Sequence, residues 1–311
     1  MTQNSTSPAE ARGSTSNAPA RTGSTEHKWS LQRFARGTFA GRLLLIPYRF
    51  WQMFRVTAAP LIHGTIWSFT GKEHYNFTYD LQPRNLQHLA AFISTISGIA
   101  VSQAECYLNE ILHDDQLKEH VRKLTQASPE RHVAENVVKF GRRVGWYALV
   151  RAAKPKLVVE TGVDKGLGSV VLAAALLRNA HEGHPGQLMA LDINPMAGYL
   201  LKPPYTTCAR LVINDSLATL RDLEQAVDFF IHDSDHNAAF EAAEYQAVSS
   251  RLANHALVLS DNAEHTDELI KFARASNRNF LFFSERPLNH WWPGEGIGIA
   301  YHGERKTRVA S

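Results

Sequence analysis

The stretch VVETGVDKGLGS (158–169) combines five apolar or β-branched residues with two acids and three glycines. An apolar run that ends in Glu160 predicts a short buried strand, and the glycines behind it predict a turn into a helix. Glycine in such a turn lets the backbone approach a ligand closely, and the helix that follows presents free N–H groups. The stretch therefore predicts the first strand, turn and helix of an α/β domain, with a ligand at the turn.

Strands and helices alternate on the carboxyl side of this turn. This pattern predicts a doubly wound, mostly parallel sheet with its binding crevice at the carboxyl ends of the strands. A final antiparallel pair is expected to close it, and two further helices are expected on the amino side. The predicted strands are 157–161, 187–193, 209–213, 228–232, 256–260, 280–284 and 296–302, and the predicted helices are 86–124, 134–153, 169–179, 217–223, 238–252 and 266–276.

The amino-terminal part of the chain divides by composition. Residues 1–26 are Ser, Thr, Ala, Pro and Gly with scattered charges, a composition typical of a disordered tail. Residues 27–75 form a basic aromatic arm, because 27–72 contain no acid while Lys and Arg alternate with aromatic and aliphatic residues. We assign 76–153 to a helical extension and 154–304 to the α/β domain.

Two interpretations of the basic arm are open. It is either a helix on an anionic membrane surface, or an arm that packs on the α/β domain with its arginines in solvent, which we favour. A membrane span is not expected, because Arg42, Pro47, Arg49 and Arg55 interrupt the apolar run before it reaches the roughly 20 residues that a bilayer requires.

The glycine spacing distinguishes between ligands. A dinucleotide fingerprint needs glycine where Asp164 and Leu167 stand, and no Gly-Lys-Ser/Thr completes a Walker loop. The pattern present, Glu160-x-Gly162-x-x-x-Gly166-x-Gly168, resembles the first motif of class I S-adenosylmethionine-dependent methyltransferases. The resemblance covers 146–301 and implies their Rossmann-like fold, a doubly wound, mostly parallel seven-stranded sheet.

The resemblance also implies which residues bind S-adenosyl-L-methionine. The glycines keep the pocket wall open, and the acid of the first motif suits a cationic ligand. Asp192 ends the second strand, where a carboxylate can accept both ribose hydroxyls, although it could also cap a turn. Asp215 and Ser216 follow the third strand, where the family contacts adenine, and a simple helix N-cap is equally open for them. The predicted cofactor-binding residues are Glu160, Gly162, Gly166, Gly168, Ser169, Asp192, Asp215 and Ser216.

Acids also end the fourth and fifth strands. Asp233 lies in DFFIHDSDHN, and Asp261 and Asn262 lie in LVLSDN. Three hard oxygen ligands suit Mg²⁺ or another divalent cation, although a helix cap or an Asx-turn would use the same residues. The arrangement resembles the cation-dependent O-methyltransferases, the catechol and caffeoyl-CoA enzymes. The variant HDSDH, with Asp235 and His236, is closer to the macrocin O-methyltransferase-like sugar methylators.

The implied chemistry is methyl transfer to an oxygen. His236, or Asp235, would remove the proton of a hydroxyl whose pKa the cation lowers, while the protein holds that oxygen in line with the methyl group. A histidine at a helix start also serves as a cap. The predicted function is an S-adenosylmethionine-dependent O-methyltransferase, assisted by a divalent metal, for a sugar, glycan or phenolic acceptor.

Two other classes of function stay open. One is an NAD(P)-dependent oxidoreductase, which the glycine spacing disfavours, and the other is a non-catalytic protein that docks membranes or partners through the basic arm. A net charge of +3 gives no reason to expect a nucleic-acid partner. Two cysteines without CxxC spacing favour a reducing compartment. We therefore expect a cytoplasmic protein, with peripheral contact at the inner membrane surface and homo-oligomerisation both left open.

Overall fold

The computed structural model describes Arg33 and residues 37–73, 77–135 and 137–303. The predicted tail, 1–26, lies outside the described residues. The chain divides into two compact units, Met1–Ala59 and Pro60–Ser311. The helices and strands, numbered in chain order, are α1 (Phe39–Leu44), α2 (Ile46–Thr70), α3 (Pro83–Ser97), α4 (Val101–Leu112), α5 (Asp115–Ala127), α6 (Arg143–Ala153), β1 (Leu157–Thr161), α7 (Leu167–His181), β2 (Gln187–Asp192), β3 (Ala209–Ile213), α8 (Ser216–Asp222), β4 (Val227–His232), α9 (Ala238–Ser249), β5 (Leu252–Asp261), α10 (Glu268–Ala275), β6 (Asn279–Ser284) and β7 (Gly296–Tyr301).

Helix α2 is the longest element of the basic arm, with 25 residues, and none of them is buried. The short α1 precedes it and begins at Thr38, whose side chain accepts a hydrogen bond from the Gly41 N–H at 3.0 Å. Within the described residues, no single helix is both long and apolar enough to cross a membrane. Helix α3 together with Val101–Ala127, at a bend of 119°, passes that test of length and composition as a pair.

The predicted helix 86–124 is wrong as a single element, because the structure has α3, α4 and α5 there. Gly98 ends α3 with φ +74°, a conformation that glycine adopts without strain. Asp114 starts α5 by accepting a hydrogen bond from the Leu117 N–H at 2.9 Å. The predicted helix 134–153 begins only at Arg143, two residues after Gly141 with φ +53°.

The seven-stranded sheet has the order β3-β2-β1-β4-β5-β7-β6. Strands β1 to β5 pair in parallel, and β7 is antiparallel to both β5 and β6. This arrangement confirms the predicted fold class, including the closing antiparallel pair. The carboxyl ends of β1, β2, β4 and β5 lie side by side, so the residues that follow them can share one crevice.

The central parallel strands β1 and β4 are buried on both faces, which explains their apolar sequence. Successive side chains of a strand point to opposite faces: Val158 and Phe229 belong to one apolar cluster, whereas Val159 and Phe230 belong to the other. Helix α6 packs on α7 and buries Trp146 completely in the first cluster. Removal of a buried side chain of that size costs about 3–5 kcal/mol. The packing of α6 fixes the position of the arginines at its amino end.

Candidate active site

A cavity of about 650 Å³ opens at the carboxyl ends of the parallel strands. Its lining comes from the turn after β1, the end of β2, the start of α8, the loops after β4 and β5, and the amino end of α6. A cavity of this size is typical of small-molecule and cofactor sites. Among the predicted cofactor residues, those that line it are Gly162, Gly168, Asp192, Asp215 and Ser216.

Gly162 allows two strand ends to meet. Its φ is +83°, and a Cβ at this position would lie 2.0 Å from the carbonyl oxygen of Asp233. No side chain fits such a gap, so the turn after β1 can approach the end of β4 only with glycine. Gly168, the second residue of α7, has a comparable role, because a Cβ there would lie 2.2 Å from Glu160 Oε1. Both glycines thus serve the close packing of the cavity wall.

The Asp192 carboxylate ties the glycine turn to the end of β2. Its Oδ2 accepts hydrogen bonds from the N–H groups of Val163 at 2.8 Å and Asp164 at 3.0 Å, and its Oδ1 accepts one from Asn194 at 2.8 Å. A carboxylate has about four lone-pair sites, and these three hydrogen bonds leave one of them, on Oδ1. Asp192 is therefore held rigidly at the edge of the cavity and can still accept one hydrogen bond from a ligand.

Asp215 and Ser216 line the same cavity, but both have a partner within the protein. Asp215 Oδ1 accepts a hydrogen bond from the Ala218 N–H at 2.7 Å, so it is the N-cap of α8. The Ser216 hydroxyl donates to Glu244. The helix-cap interpretation is thus realised for Asp215, and its position beside the cavity leaves ligand contact open.

Glu160 lies beneath the cavity wall and does not line it. Its side chain is fully buried, and the Ser169 hydroxyl donates a hydrogen bond to its Oε2. Burial raises the pKa of Glu160 to about 8, against which the Ser169 hydrogen bond and the charge of Arg143 act in the opposite direction. Gly166, the residue before α7 with φ +92°, is likewise absent from the lining. Glu160 and Gly166 therefore support the wall of the cavity and do not face it.

The acids after β4 and β5 meet as predicted. One donor atom each from Asp233, His236 and Asp261 lies within 4.8 Å of the others. Burial and the negative charge of Asp261 raise the pKa of Asp233 well above its usual value, against the opposing charge of Arg143. Two buried carboxylates this close repel each other when both are ionised, so the cluster has a place for added positive charge.

Arg142 already supplies part of that charge. Its guanidinium donates hydrogen bonds to both carboxylate oxygens of Asp261, and its Nη1 lies 3.1 Å from Glu285 Oε1. Burial acts to raise the pKa of Asp261, but the charge and hydrogen bonds of Arg142 outweigh it and lower the pKa to about 2. Asp261 is therefore ionised and fixed in orientation.

The side chain of Asn262 completes the group. Its Nδ2 donates to His236 Nε2 at 3.1 Å, while its buried Oδ1 accepts no hydrogen bond from any described residue. Asn262 has φ +51°, which is uncommon for a residue other than glycine. A buried amide oxygen without a partner is costly unless a ligand or ion satisfies it.

The two predicted base candidates differ in their surroundings. Asp235 is exposed and accepts a hydrogen bond from the Asn237 N–H at 3.0 Å, as in an Asx-turn. His236 is half-buried, and its ring lies 5.5 Å from that of His232. Burial, together with the neighbouring histidines His232 and His265, lowers the pKa of His236, although Asp261 acts in the opposite direction. His236 is therefore a neutral imidazole at pH 7 and can accept a proton.

A family model described as "Methyltransferase domain" matches residues 159–263. The chain carries a methyltransferase domain. The match begins in β1 and ends just after β5, so it includes the glycine turn, Asp192 and the acids after β4 and β5. It confirms the enzyme class predicted from the sequence, an S-adenosylmethionine-dependent methyltransferase, over an oxidoreductase.

Several solved structures are similar to this methyltransferase. A candidate O-methyltransferase from Klebsiella pneumoniae is 16% identical, with 63% of this chain and 94% of that chain covered at a TM-score of 0.48. A methyltransferase from Geobacter sulfurreducens is 19% identical, with 59% and 90% covered at 0.45. The O-methyltransferase TomG from Streptomyces achromogenes, solved in complex with SAM, is 14% identical, with 60% and 90% covered at 0.46. None of the curated proteins compared with the chain matches it.

Three residues of the site were not predicted from the sequence. Arg142 binds Asp261, and Arg143 Nη2 lies 3.7 Å from Asp233 Oδ2. Glu244 on α9 is fully buried below the cavity. For Arg143 and Glu244 the available signal was a charged residue on the face of a helix that otherwise faces the core, a position where charge requires a partner. Arg142 precedes α6 as its N-cap and offered no such signal.

The partners of Glu244 connect three parts of the site. Its Oε2 accepts from the Thr161 hydroxyl at 2.7 Å and lies 2.7 Å from His232 Nδ1 and 3.2 Å from the Ser234 hydroxyl. Its Oε1 accepts from Ser216. A buried polar network whose central acceptor is fully used holds its members in one arrangement.

Proposed function

We propose that the chain transfers the methyl group of S-adenosyl-L-methionine to a hydroxyl oxygen of a sugar, glycan or phenolic acceptor. The observation that carries the proposal is that one cavity joins two half-sites. The glycine turn and Asp192 form one half, and the cluster of Asp233, His236 and Asp261 forms the other. A methyl donor and a hydroxyl acceptor need such adjacent pockets, because the reacting atoms must be held close and in line.

Cofactor binding is assigned to the first half. Asp192 accepts a hydrogen bond from a ribose hydroxyl with the lone pair of Oδ1 that the backbone N–H groups leave free. Asp215 and Ser216 lie at the adenine end of this half. The turn at Gly162 keeps the cofactor close to the end of β4, because its missing Cβ is what allows the two strand ends to meet.

The second half fits a divalent cation. Asp233, Asp261 and Asn262 offer hard oxygen donors of the kind that Mg²⁺ prefers, and the Asn262 oxygen lacks a partner among the described residues. Arg142 does not exclude this assignment, since a ligating carboxylate is commonly hydrogen-bonded from behind. Such a cation, when bound, would lower the pKa of an acceptor hydroxyl.

The remaining roles belong to the protein itself. His236 would accept the proton of the acceptor hydroxyl at Nε2, which the Asn262 amide must first release. The acceptor oxygen would form its bond to the methyl carbon as the carbon–sulfur bond breaks. The electron pair of that bond stays on sulfur, which leaves S-adenosylhomocysteine. Arg142 is a positioning residue, since it orients Asp261 through hydrogen bonds to both carboxylate oxygens.

Calorimetry of the full chain with S-adenosylmethionine tests the first half of the proposal. We expect micromolar affinity in the wild-type protein and in Asp267→Asn, a variant of an exposed acid away from the cavity. The second half is tested by incubating the protein and S-adenosylmethionine with a panel of catechols and sugars and measuring the release of S-adenosylhomocysteine. Each reaction is run once with Mg²⁺ and once with chelator. Absence of S-adenosylmethionine binding would refute the proposed methyltransferase activity. Turnover that chelator leaves unchanged would refute the proposed role of the cation.

A further inference from the structure

Helix α2 exposes an unusual amount of apolar surface. Phe50 is 62% exposed, Phe54 59% and Leu61 70%, and no residue of the helix is buried. An amphipathic helix of a globular protein normally buries its apolar side against the core. The apolar side chains of α2 therefore call for an apolar environment that the described residues of the chain do not provide.

The exposed apolar side chains of α2 are not confined to one face. Phe50, Phe54 and Leu61 share a face, because they follow each other at four and seven residues, and other exposed apolar side chains lie on the remaining sides. Arg49 and Arg55 lie to either side of the face that these three share. A basic helix with this much exposed apolar surface is suited to the interface of a membrane, where apolar and charged side chains both find partners.

The charge of this segment is of one sign. Residues 27–72 contain no Asp or Glu, and α2 contributes Arg49 and Arg55. An anionic lipid headgroup layer supplies the negative charge that the segment lacks. A second copy of α2 would supply only more arginine, so helix-to-helix pairing between copies leaves these charges without counter-charges.

The carboxyl end of α2 is anchored in the unit that also contains the active site. The rings of Trp67 and Trp291 lie 5.0 Å apart, and a Cβ at Gly64 would lie 3.4 Å from the Trp291 side chain. Trp67 also contacts Phe77 with ring centroids at 5.4 Å. The end of the helix is thus fixed by aromatic packing and is not a loose tail.

We propose that α2 binds the surface of an anionic lipid bilayer, with Phe50, Phe54 and Leu61 inserted and its arginines at the headgroups. The proposal does not depend on the methyl acceptor or on the reaction. It assigns the protein to the membrane surface by the chemistry of one helix.

Sedimentation of the full chain with vesicles tests it. We expect binding to phosphatidylglycerol–phosphatidylcholine vesicles and much weaker binding to phosphatidylcholine alone. Each exposed arginine near the surface contributes about 1 kcal/mol, or about fivefold in affinity. Arg49→Gln with Arg55→Gln should therefore weaken binding about thirtyfold. The matched control is Arg221→Gln with Arg274→Gln, two exposed arginines of the α/β domain.

A second pair of variants tests insertion. Phe50→Ser with Phe54→Ser should lower vesicle affinity at least about a hundredfold, because each buried phenylalanine contributes on the order of 1.5–3 kcal/mol, while cofactor affinity and melting temperature stay unchanged. Equal affinity for neutral and anionic vesicles would overturn the proposal. The proposal would also be overturned if the protein did not bind vesicles but formed a dimer in sedimentation velocity that the phenylalanine variant dissociates. That result would assign the apolar surface to a second copy of the chain.

Discussion

Replacement of Glu160 by glutamine isolates the effect of a single buried proton. Glu160 is fully buried, and burial raises its pKa to about 8 from the ordinary 4.5. Between these two values the folded protein binds a proton at this site that the unfolded chain does not bind. The free energy of unfolding must therefore fall as the pH rises, until the folded protein also releases the proton near pH 8.

The size of the effect follows from the two pKa values. The full difference corresponds to about 5 kcal/mol, of which about 3 kcal/mol is lost between about pH 5.5 and pH 8.5. Glutamine keeps the shape of the side chain and can accept the Ser169 hydrogen bond, but it does not titrate. At about pH 8.5, Glu160→Gln should thus have a higher free energy of unfolding than the wild-type protein. Between about pH 5.5 and pH 8.5, the difference between the two proteins should grow by about 3 kcal/mol.

Urea unfolding of both proteins at the two pH values measures this difference directly. All other titrating groups are common to both proteins, so they cancel in the comparison. Equal pH dependence in the two proteins would show that Glu160 is ionised in the folded state. It would then be a permanent negative charge behind the glycine turn.

Three further substitutions test other parts of the site. Gly162→Ala should destabilise the fold by at least several kcal/mol in thermal unfolding, because its Cβ meets the Asp233 backbone, whereas Gly183→Ala, with φ +86° and open space around it, should cost only about 1–2 kcal/mol; equal costs would contradict the close approach. Asp192→Asn should weaken S-adenosylmethionine binding at least about tenfold in calorimetry, and Asp267→Asn should leave it unchanged; a normal affinity in Asp192→Asn would remove its assigned role. Asp233→Asn should lower Mn²⁺ affinity, followed by electron paramagnetic resonance, by about tenfold or more while cofactor affinity is retained, and unaltered Mn²⁺ binding would count against the cation site.

The strands were predictable because short apolar runs between turn residues leave a simple signal. Residues 157–161 and 209–213 are such runs, and both strands have these bounds in the structure, although only the first is buried on both faces. The amino-terminal helices were less predictable, because an apolar period continues across Gly98 and Asp114 while the backbone ends one helix and begins another there. The bounds of these helices therefore depend on local capping residues, which the apolar period does not reveal.

The site was predictable where topology determines it. Acids after neighbouring parallel strands must meet, which brings Asp233 and Asp261 together without knowledge of any contact. The partner of Asp261 was not predictable in this way. Arg142 is 119 residues away in sequence and lies just before a helix whose start was itself placed too early, so only the packing of α6 brings it to the site.

The Glu244 network described above has a practical meaning for protein engineering. One carboxylate fastens the ends of β1 and β4 and the start of α8, so a library that randomises α9 would disturb three walls at once. Substitutions intended to change the methyl acceptor should therefore leave α9 and its contacts intact.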